Sequence, residues 1–182
     1  MKELLYRNLL ILTLPVFLSG WVACNGRSSQ ESKIDKFQEK VDEFVAEGLD
    51  FKLGKTKVEI VKNLGNPKTI RIQKVPNVHY PKYIVDEIHE LFYDGFYIKL
   101  YKATETNKEM VEYLSVTSDR YKVKWGLNIG THKNKVRNLL GPPLKKEKSV
   151  YTYQDRDGYP DHVYFYFRDD RIYKIEWEYY HD

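Results

Sequence analysis

Gly54-Lys55-Thr56 has the residue types of a phosphate-binding loop. That loop also needs a glycine five residues before Gly54, but the position is Leu49, and Gly48 lies one residue too early. The segment follows an amphipathic helical pattern, whereas the loop should follow a strand. We therefore interpret it as the start of a helix, and we expect no nucleotide to bind here.

The carboxylates and histidines of the sequence do not have the spacing expected of a metal site or a catalytic site. Counted from Asp155, a calcium loop would need Gly at Pro160 and Glu at Tyr166, so Asp155, Asp157 and Asp161 are better explained by a hairpin turn. The histidines lack the spacing of four on a helix that zinc sites use; they are His79, His89, His132, His162 and His181. The sequence predicts no catalytic residues, no metal and no cofactor, and hence a protein that is not an enzyme.

The single cysteine, Cys24, directly follows a segment with the order of an export signal. A charged start precedes an apolar run from Leu9 to Leu18, and small residues follow it. The run is too short for a stable membrane-spanning helix. The arrangement resembles a bacterial lipoprotein signal, although Trp21 stands where that family has an aliphatic residue. An ordinary secretory signal with an incidental free cysteine is the alternative.

The resemblance implies that residues 1–23 are removed and that Cys24 is lipidated, so the chain would be anchored to a membrane outside the cytoplasm. Asn25 after the cysteine, where inner-membrane lipoproteins have Asp, favours the outer membrane. The polar residues 24–29 are expected to form a flexible tether.

Composition indicates a folded, aromatic-rich domain. The 182 residues include 16 Tyr and are 15% aromatic, which is typical of antiparallel sheet. The 30 basic residues nearly balance the 26 acidic ones, giving a net charge of +4. A nucleic-acid-binding protein usually has a much stronger basic excess, so nucleic acid is an improbable partner.

Residues 30–48 are predicted to form an amphipathic helix. Apolar residues recur at spacings of three and four, at Ile34, Phe37, Val41, Phe44 and Val45. Such a stripe could bind a partner, but packing on the helix's own domain is the more common explanation.

A short pattern then occurs twice. An apolar residue and Gly54 precede a helical stretch that ends in Leu64-Gly65-Asn66-Pro67, and Gly130 precedes the corresponding Leu140-Gly141-Pro142-Pro143. Each stretch predicts a helix of about two turns, in which Gly65 or Gly141 ends the helix at positive φ and Pro67 or Pro143 prevents its continuation. Runs rich in β-branched and aromatic residues follow each copy, with turn signals at Asp94-Gly95, Asp157-Gly158 and Asp169-Asp170.

These patterns predict an α+β fold of two tandem repeats, residues 49–117 and 118–182. Each repeat is expected to be a short helix, or helical pair, packed on a three- or four-stranded antiparallel sheet. Whether the two sheets join is left open. The repeated pattern resembles the β-lactamase inhibitory protein fold and the outer-membrane assembly lipoproteins of the BamE/SmpA/OmlA type.

Alternating residues predict a tyrosine-bearing face on the sheet. In one strand the apolar Phe96, Ile98 and Leu100 alternate with Tyr97, Lys99 and Tyr101. In another, Val163, Phe165 and Phe167 alternate with Tyr164 and Tyr166. We hypothesise that these four tyrosines and Lys99 form a protein-binding face, because tyrosine offers a large contact area at low entropic cost. Alternatively, these tyrosines cover the sheet or pack between the repeats.

The expected function is therefore that of a lipid-anchored extracytoplasmic protein that binds another protein. The resemblance implies a partner in the outer-membrane assembly machinery. The sequence leaves two alternatives: an inhibitor of a secreted enzyme, and a carbohydrate-binding module of the cell envelope.

Overall fold

The structure is a computed structural model that describes residues 25–77, 83–156 and 159–180. The proposed lipidation site, Cys24, the signal segment 1–23 and the Asp157-Gly158 turn lie outside the described residues.

The helices are α1 (Asn25–Glu47), α2 (Lys57–Leu64) and α3 (Lys133–Leu140), with a short 3-10 helix at Lys124–Gly126. Helix α1 begins before the predicted start at residue 30, so the segment that we expected to be a flexible tether is helical from Asn25. No helix in the described ranges combines the length and apolar character needed to cross a membrane.

Both short helices, α2 and α3, are capped at their N-termini and followed by a glycine at their C-termini. The Thr56 hydroxyl caps α2 by accepting a hydrogen bond from the Glu59 amide (3.3 Å), and His132 Nδ1 caps α3 by accepting from the Asn134 amide (3.2 Å). Gly65 and Gly141 follow the helices at φ of 82° and 78°. The prediction that both glycines have positive φ is confirmed.

The described part of the chain contains eight strands, four between α2 and α3 and four after α3. They are β1 (Thr69–Pro76), β2 (Val85–Tyr93), β3 (Phe96–Ala103), β4 (Lys108–Val116), β5 (Lys145–Glu147), β6 (Val150–Gln154), β7 (His162–Arg168) and β8 (Arg171–Glu178). Asp94-Gly95 forms the predicted two-residue turn between β2 and β3. Asp169 and Asp170 form another between β7 and β8, both at positive φ, as tight hairpin turns require.

The prediction of two tandem helix-on-sheet repeats is wrong. All eight strands form one antiparallel sheet in the order β1-β2-β3-β4-β8-β7-β6-β5. Strands β4 and β8 pair from Tyr113↔Glu178 to Val116↔Ile175. The physical reason is that two separate sheets would leave the facing edges of β4 and β8 without hydrogen-bonding partners, although Leu114 and Trp177 of these strands are buried in the core. The result is a β-rich fold with a single continuous sheet.

The core lies between the helices and one face of this sheet. Phe44 of α1 packs on Phe165 and Trp177 at ring-centroid distances of 5.5 and 5.8 Å, and the Trp177 indole N–H donates to the Phe44 carbonyl. Ile60 of α2 and Leu140 of α3 belong to the same buried cluster. Helix α1 therefore uses its apolar stripe, at least from Val41 to Val45, to dock on its own sheet.

Candidate functional site

The second face of the sheet bears a continuous set of polar and aromatic side chains. In β3 and β7 the residues that alternate with Tyr97, Lys99, Tyr164 and Tyr166 are buried against the helices. Cross-strand pairing extends the same face through β2, β4 and β8. We call it the open face; it comprises Glu90, Phe92, Tyr97, Lys99, Tyr101, Tyr113, Ser115, Tyr164, Tyr166, Lys174, Glu176 and Glu178.

The register aligns these residues in rows that cross the middle of the sheet. One row runs Phe92↔Tyr97↔Ser115↔Glu176↔Tyr164. Three strand spacings separate Tyr97 from Tyr164, so the two lie about 14 Å apart on one surface. The β4–β8 pairing thus places the two tyrosine sets that the sequence indicated side by side.

Each tyrosine hydroxyl on this face donates to a carboxylate. Tyr97 donates to Glu90 (2.7 Å) and Tyr164 to Glu178 (2.8 Å). Tyr113 and Tyr166 both hydrogen-bond Glu176. These bonds fix the rings in place, so the open face is preorganised.

Tyr101 lies at the far end of the face and is engaged differently. Its hydroxyl donates to the buried carboxylate of Asp86, which also accepts hydrogen bonds from the Asn77 amide group and from Thr104. Tyr101 therefore supports a buried polar network at the start of β2.

Basic side chains balance much of the negative charge. Lys174 Nζ lies 2.8 Å from a Glu176 oxygen and 3.8 Å from the centroid of the Tyr166 ring. Lys99 Nζ lies 2.8 Å from Glu112, at the irregular register between β3 and β4. The face thus has both charge signs and broad aromatic surface, which suits protein contacts.

The tyrosines of the open face have raised pKa values, whereas the pKa values of their partners Asp86 and Glu176 are lowered. Burial, and then the hydrogen bond to Asp86, raise the pKa of Tyr101 to about 12. Burial and carboxylate partners likewise raise the pKa values of Tyr97, Tyr164 and Tyr166. Protonated phenols bound to charged carboxylates are poor groups for proton transfer at neutral pH, whereas they are well suited to fixed hydrogen bonding.

A shallow concavity of about 690 Å³ lies on the open face where β3, β4 and β8 meet. Its lining comes from both halves of the chain: Tyr97, Lys99, Glu112, Tyr113, Ser115, Glu178, Tyr179 and Tyr180. The β4–β8 pairing creates the concavity, since neither half alone supplies all its walls.

The predicted site residues are only partly brought together. Tyr97 and Lys99 line the concavity, whereas Tyr164 and Tyr166 flank it on β7 and Tyr101 lies away from it. The residues of the repeated motif lie at or near the ends of α2 and α3, on the side of the sheet that the helices cover. They are Gly54, Gly65, Pro67, Gly130, Gly141 and Pro143. Their placement fits the structural role that the sequence suggested.

Sequence reasoning missed the carboxylates and tyrosines that β4 and β8 contribute. Tyr113 and Ser115 alternate with the buried Leu114 and Val116, and Glu176 and Glu178 flank the buried Trp177. The same period-two pattern that identified Tyr164 could therefore have placed these residues on the open face.

The other chemical patterns have local explanations. Glu59 accepts a hydrogen bond from the Lys55 amide (2.8 Å), so the N-terminus of α2 is already capped by an acidic side chain. Asp155 and Asp161 hydrogen-bond each other across the β6–β7 connection, with the Asp161 amide donating to Asp155 Oδ1 (3.0 Å). Within the described ranges no three His, Cys, Asp or Glu side chains group as a metal site would require.

Comparison with protein-family models, curated proteins and solved structures finds no match to this chain.

Proposed function

We propose that this chain is a non-enzymatic, lipid-anchored protein of the bacterial cell envelope that binds another protein through its open face. The observation that carries the proposal is the preorganised row of tyrosines and carboxylates across the centre of the sheet. An antiparallel sheet often leaves one face to solvent, and that face is then ordinarily polar. Here it is instead rich in tyrosine.

The concavity supports a protein partner. It is wide and shallow, and it is edged by Lys99, Glu112 and Tyr180, with more than half of the Tyr180 surface exposed. A protruding loop or strand of a partner could contact the aromatic floor and pair its charges with the edge. Interfaces commonly place aromatic anchors centrally and polar groups at the rim.

The lipoprotein-like start of the sequence supports the membrane location. A lipid on Cys24 would keep the domain near one membrane, which raises the local concentration of partners in that membrane. The resemblance to outer-membrane assembly lipoproteins makes that machinery the first place to look for the partner.

A matched pair of double variants tests the proposal. Lys99→Ala with Tyr180→Ala removes two side chains from the edge of the concavity. Lys62→Ala with Tyr159→Ala removes the same residue types at exposed positions of α2 and of the β6–β7 connection. Tyr180 and the two control side chains are exposed and contribute little stability. The Lys99–Glu112 ion pair is only partly buried and contributes about 1 kcal/mol or less, so both proteins should melt within a few degrees of the unaltered chain.

Crosslinking in intact cells, followed by detergent extraction and pull-down, measures the association. Loss of two rim contacts should cost about 1 kcal/mol, so the concavity variant should bind roughly fivefold more weakly while the control remains unchanged. Equal capture by the two variants would refute the open face as the binding surface. Capture of a soluble secreted enzyme would identify an inhibitor, and tyrosine fluorescence changes with cell-wall sugars would identify a carbohydrate-binding module.

A further inference from the structure

The two ends of the sheet differ in how their outer strands are protected. At one end the outermost strand is β5, which has only three residues: Lys145, Lys146 and Glu147, all charged and exposed. Short, charged edge strands resist pairing with other chains. At the other end, β1 has eight residues and pairs along its full length with β2. Its outer side is long enough to accept another strand.

The outward backbone groups of β1 can be assigned from the register. The Asn77 amide donates to the Ile84 carbonyl (3.0 Å), continuing the pairing in which Pro76 lies opposite Val85. Because hydrogen-bonding direction alternates along an antiparallel strand, Ile70, Ile72 and Lys74 direct their N–H and C=O groups away from β2. Pro76 falls in the same set, where its missing N–H disrupts no bond to β2.

The side chains of β1 are unusually apolar for an exposed edge. Ile70 and Ile72 are 47% and 50% exposed. They pair with Leu91 and His89 of β2, which places them on the same side of the sheet as the core. The core cluster formed by the described residues reaches Leu91 but not these two isoleucines.

The charge of this edge has one sign. Lys68, Arg71 and Lys74 lie within or beside β1, and the strand contains no acidic residue. Lys68 and Arg71 contact Asp94 and Glu90, but their side chains remain 68% and 60% exposed. A second copy of β1 would bring three further cations alongside these, and like charges on adjacent strands are destabilising.

We propose that the outer side of β1, residues 69–76, binds an extended segment of a partner that adds to the sheet as a ninth strand. The segment would have apolar side chains against Ile70 and Ile72, alternating with acidic side chains near Arg71. Main-chain hydrogen bonds to Ile70, Ile72 and Lys74 would supply affinity, and the alternate side chains would supply specificity. The outer edge of β1 adjoins the open face but lies beyond β2, away from the concavity that β3, β4 and β8 line, so either proposal can fail without the other.

Amide hydrogen exchange measured by NMR tests the proposal on the unaltered protein. The probe is a capped nine-residue peptide of alternating valine and glutamate. A valine–lysine peptide and a valine–glutamate peptide with alternate backbone N-methyl groups are the controls. At saturation the probe should slow exchange at Ile70, Ile72 and Lys74 at least tenfold, while neither control does so. Unchanged exchange, or equal protection by the lysine peptide, would overturn the proposal.

Two pairs of variants separate backbone from side-chain effects. Ile72→Pro removes an outward N–H and should abolish binding, whereas Ile72→Val retains the N–H and should bind within threefold of the unaltered chain. Arg71→Glu should weaken the glutamate peptide at least tenfold, and Arg71→Gln should weaken it less. Because Ile72→Pro could also unfold the edge, its circular dichroism is measured, and the exchange experiment on the unaltered protein remains decisive. A concentration-dependent dimer protected at β1 would identify a second copy as the occupant and would refute an acidic segment.

Discussion

Comparing alanine variants at Gly65 and Gly141 tests whether α1 packs closely against the C-terminal end of α3. Both follow a short helix in nearly the same conformation, with φ and ψ of 82° and −175° at Gly65 and of 78° and −164° at Gly141. Their surroundings differ. A Cβ at Gly65 would meet nothing within 4 Å, whereas a Cβ at Gly141 would lie 2.7 Å from Phe37 Cγ of α1.

The magnitudes follow from these two geometries. This backbone region is essentially restricted to glycine, so alanine at either position should cost about 1–3 kcal/mol. At Gly141 the methyl group must also displace Phe37, and overpacking of this kind typically costs a further 1–3 kcal/mol or so. For a domain of this size roughly 1 kcal/mol lowers the melting temperature by 2–4 °C. Gly141→Ala should therefore melt about 2–12 °C below Gly65→Ala.

Chemical and thermal denaturation of the two variants, each with and without Phe37→Ala, completes the test. Phe37→Ala should recover part of the loss in the Gly141→Ala background, and it should be additive with Gly65→Ala because those sites share no contact. Equal melting temperatures for the two glycine variants would refute the close packing of α1 on the end of α3. An unaffected Gly65→Ala would refute the strained conformation itself.

Two further outcomes concern the open face and the anchor. Burial acts to raise the pKa of Glu176, but hydrogen bonds from Lys174, Tyr113 and Tyr166 lower it more, so its folded-state pKa lies below the ordinary value of 4.5. The ionised carboxylate therefore stabilises the fold above pH 4.5 and stops doing so as pH falls through the folded pKa. Glu176→Gln should lower the melting temperature at pH 7 and show a shallower acid decline than the unaltered protein; parallel declines would contradict the argument. Cys24→Ser should release a folded protein into the soluble extracytoplasmic fraction, and its continued sedimentation with membranes in cell fractionation would count against lipidation as the sole anchor.

Local patterns in the sequence predict the helices, the turns and the direction of most side chains. The stop signals at Gly65 and Gly141 and the Asp94-Gly95 turn depend only on neighbouring residues, and the structure confirms them. The alternation around Tyr97 and Tyr164 correctly predicts which face of the sheet they occupy, because it follows from the strand pleat.

The continuity of the sheet could not be read in the same way. The pairing of Tyr113 with Glu178 joins distant parts of the chain, and no local residue pattern specifies that partner. The concavity depends on this pairing and on the register shift beside Lys99, so Tyr97 and Lys99 are the only residues of its lining that the sequence predicted. The tether was misjudged because a polar composition is compatible with both a linker and a solvent-exposed helix turn.

The strand made last, β8, occupies the middle of the sheet, between β4 and β7. During synthesis, β4 therefore has no neighbour on one side until β8 has left the ribosome, and Phe44 cannot pack on Trp177 before then. Formation of the complete core must await β8, and such distant pairing is intrinsically slow. Conversely, a truncation that removes Arg171–Glu178 would divide the sheet between β4 and β7, so the integrity of the whole sheet depends on β8.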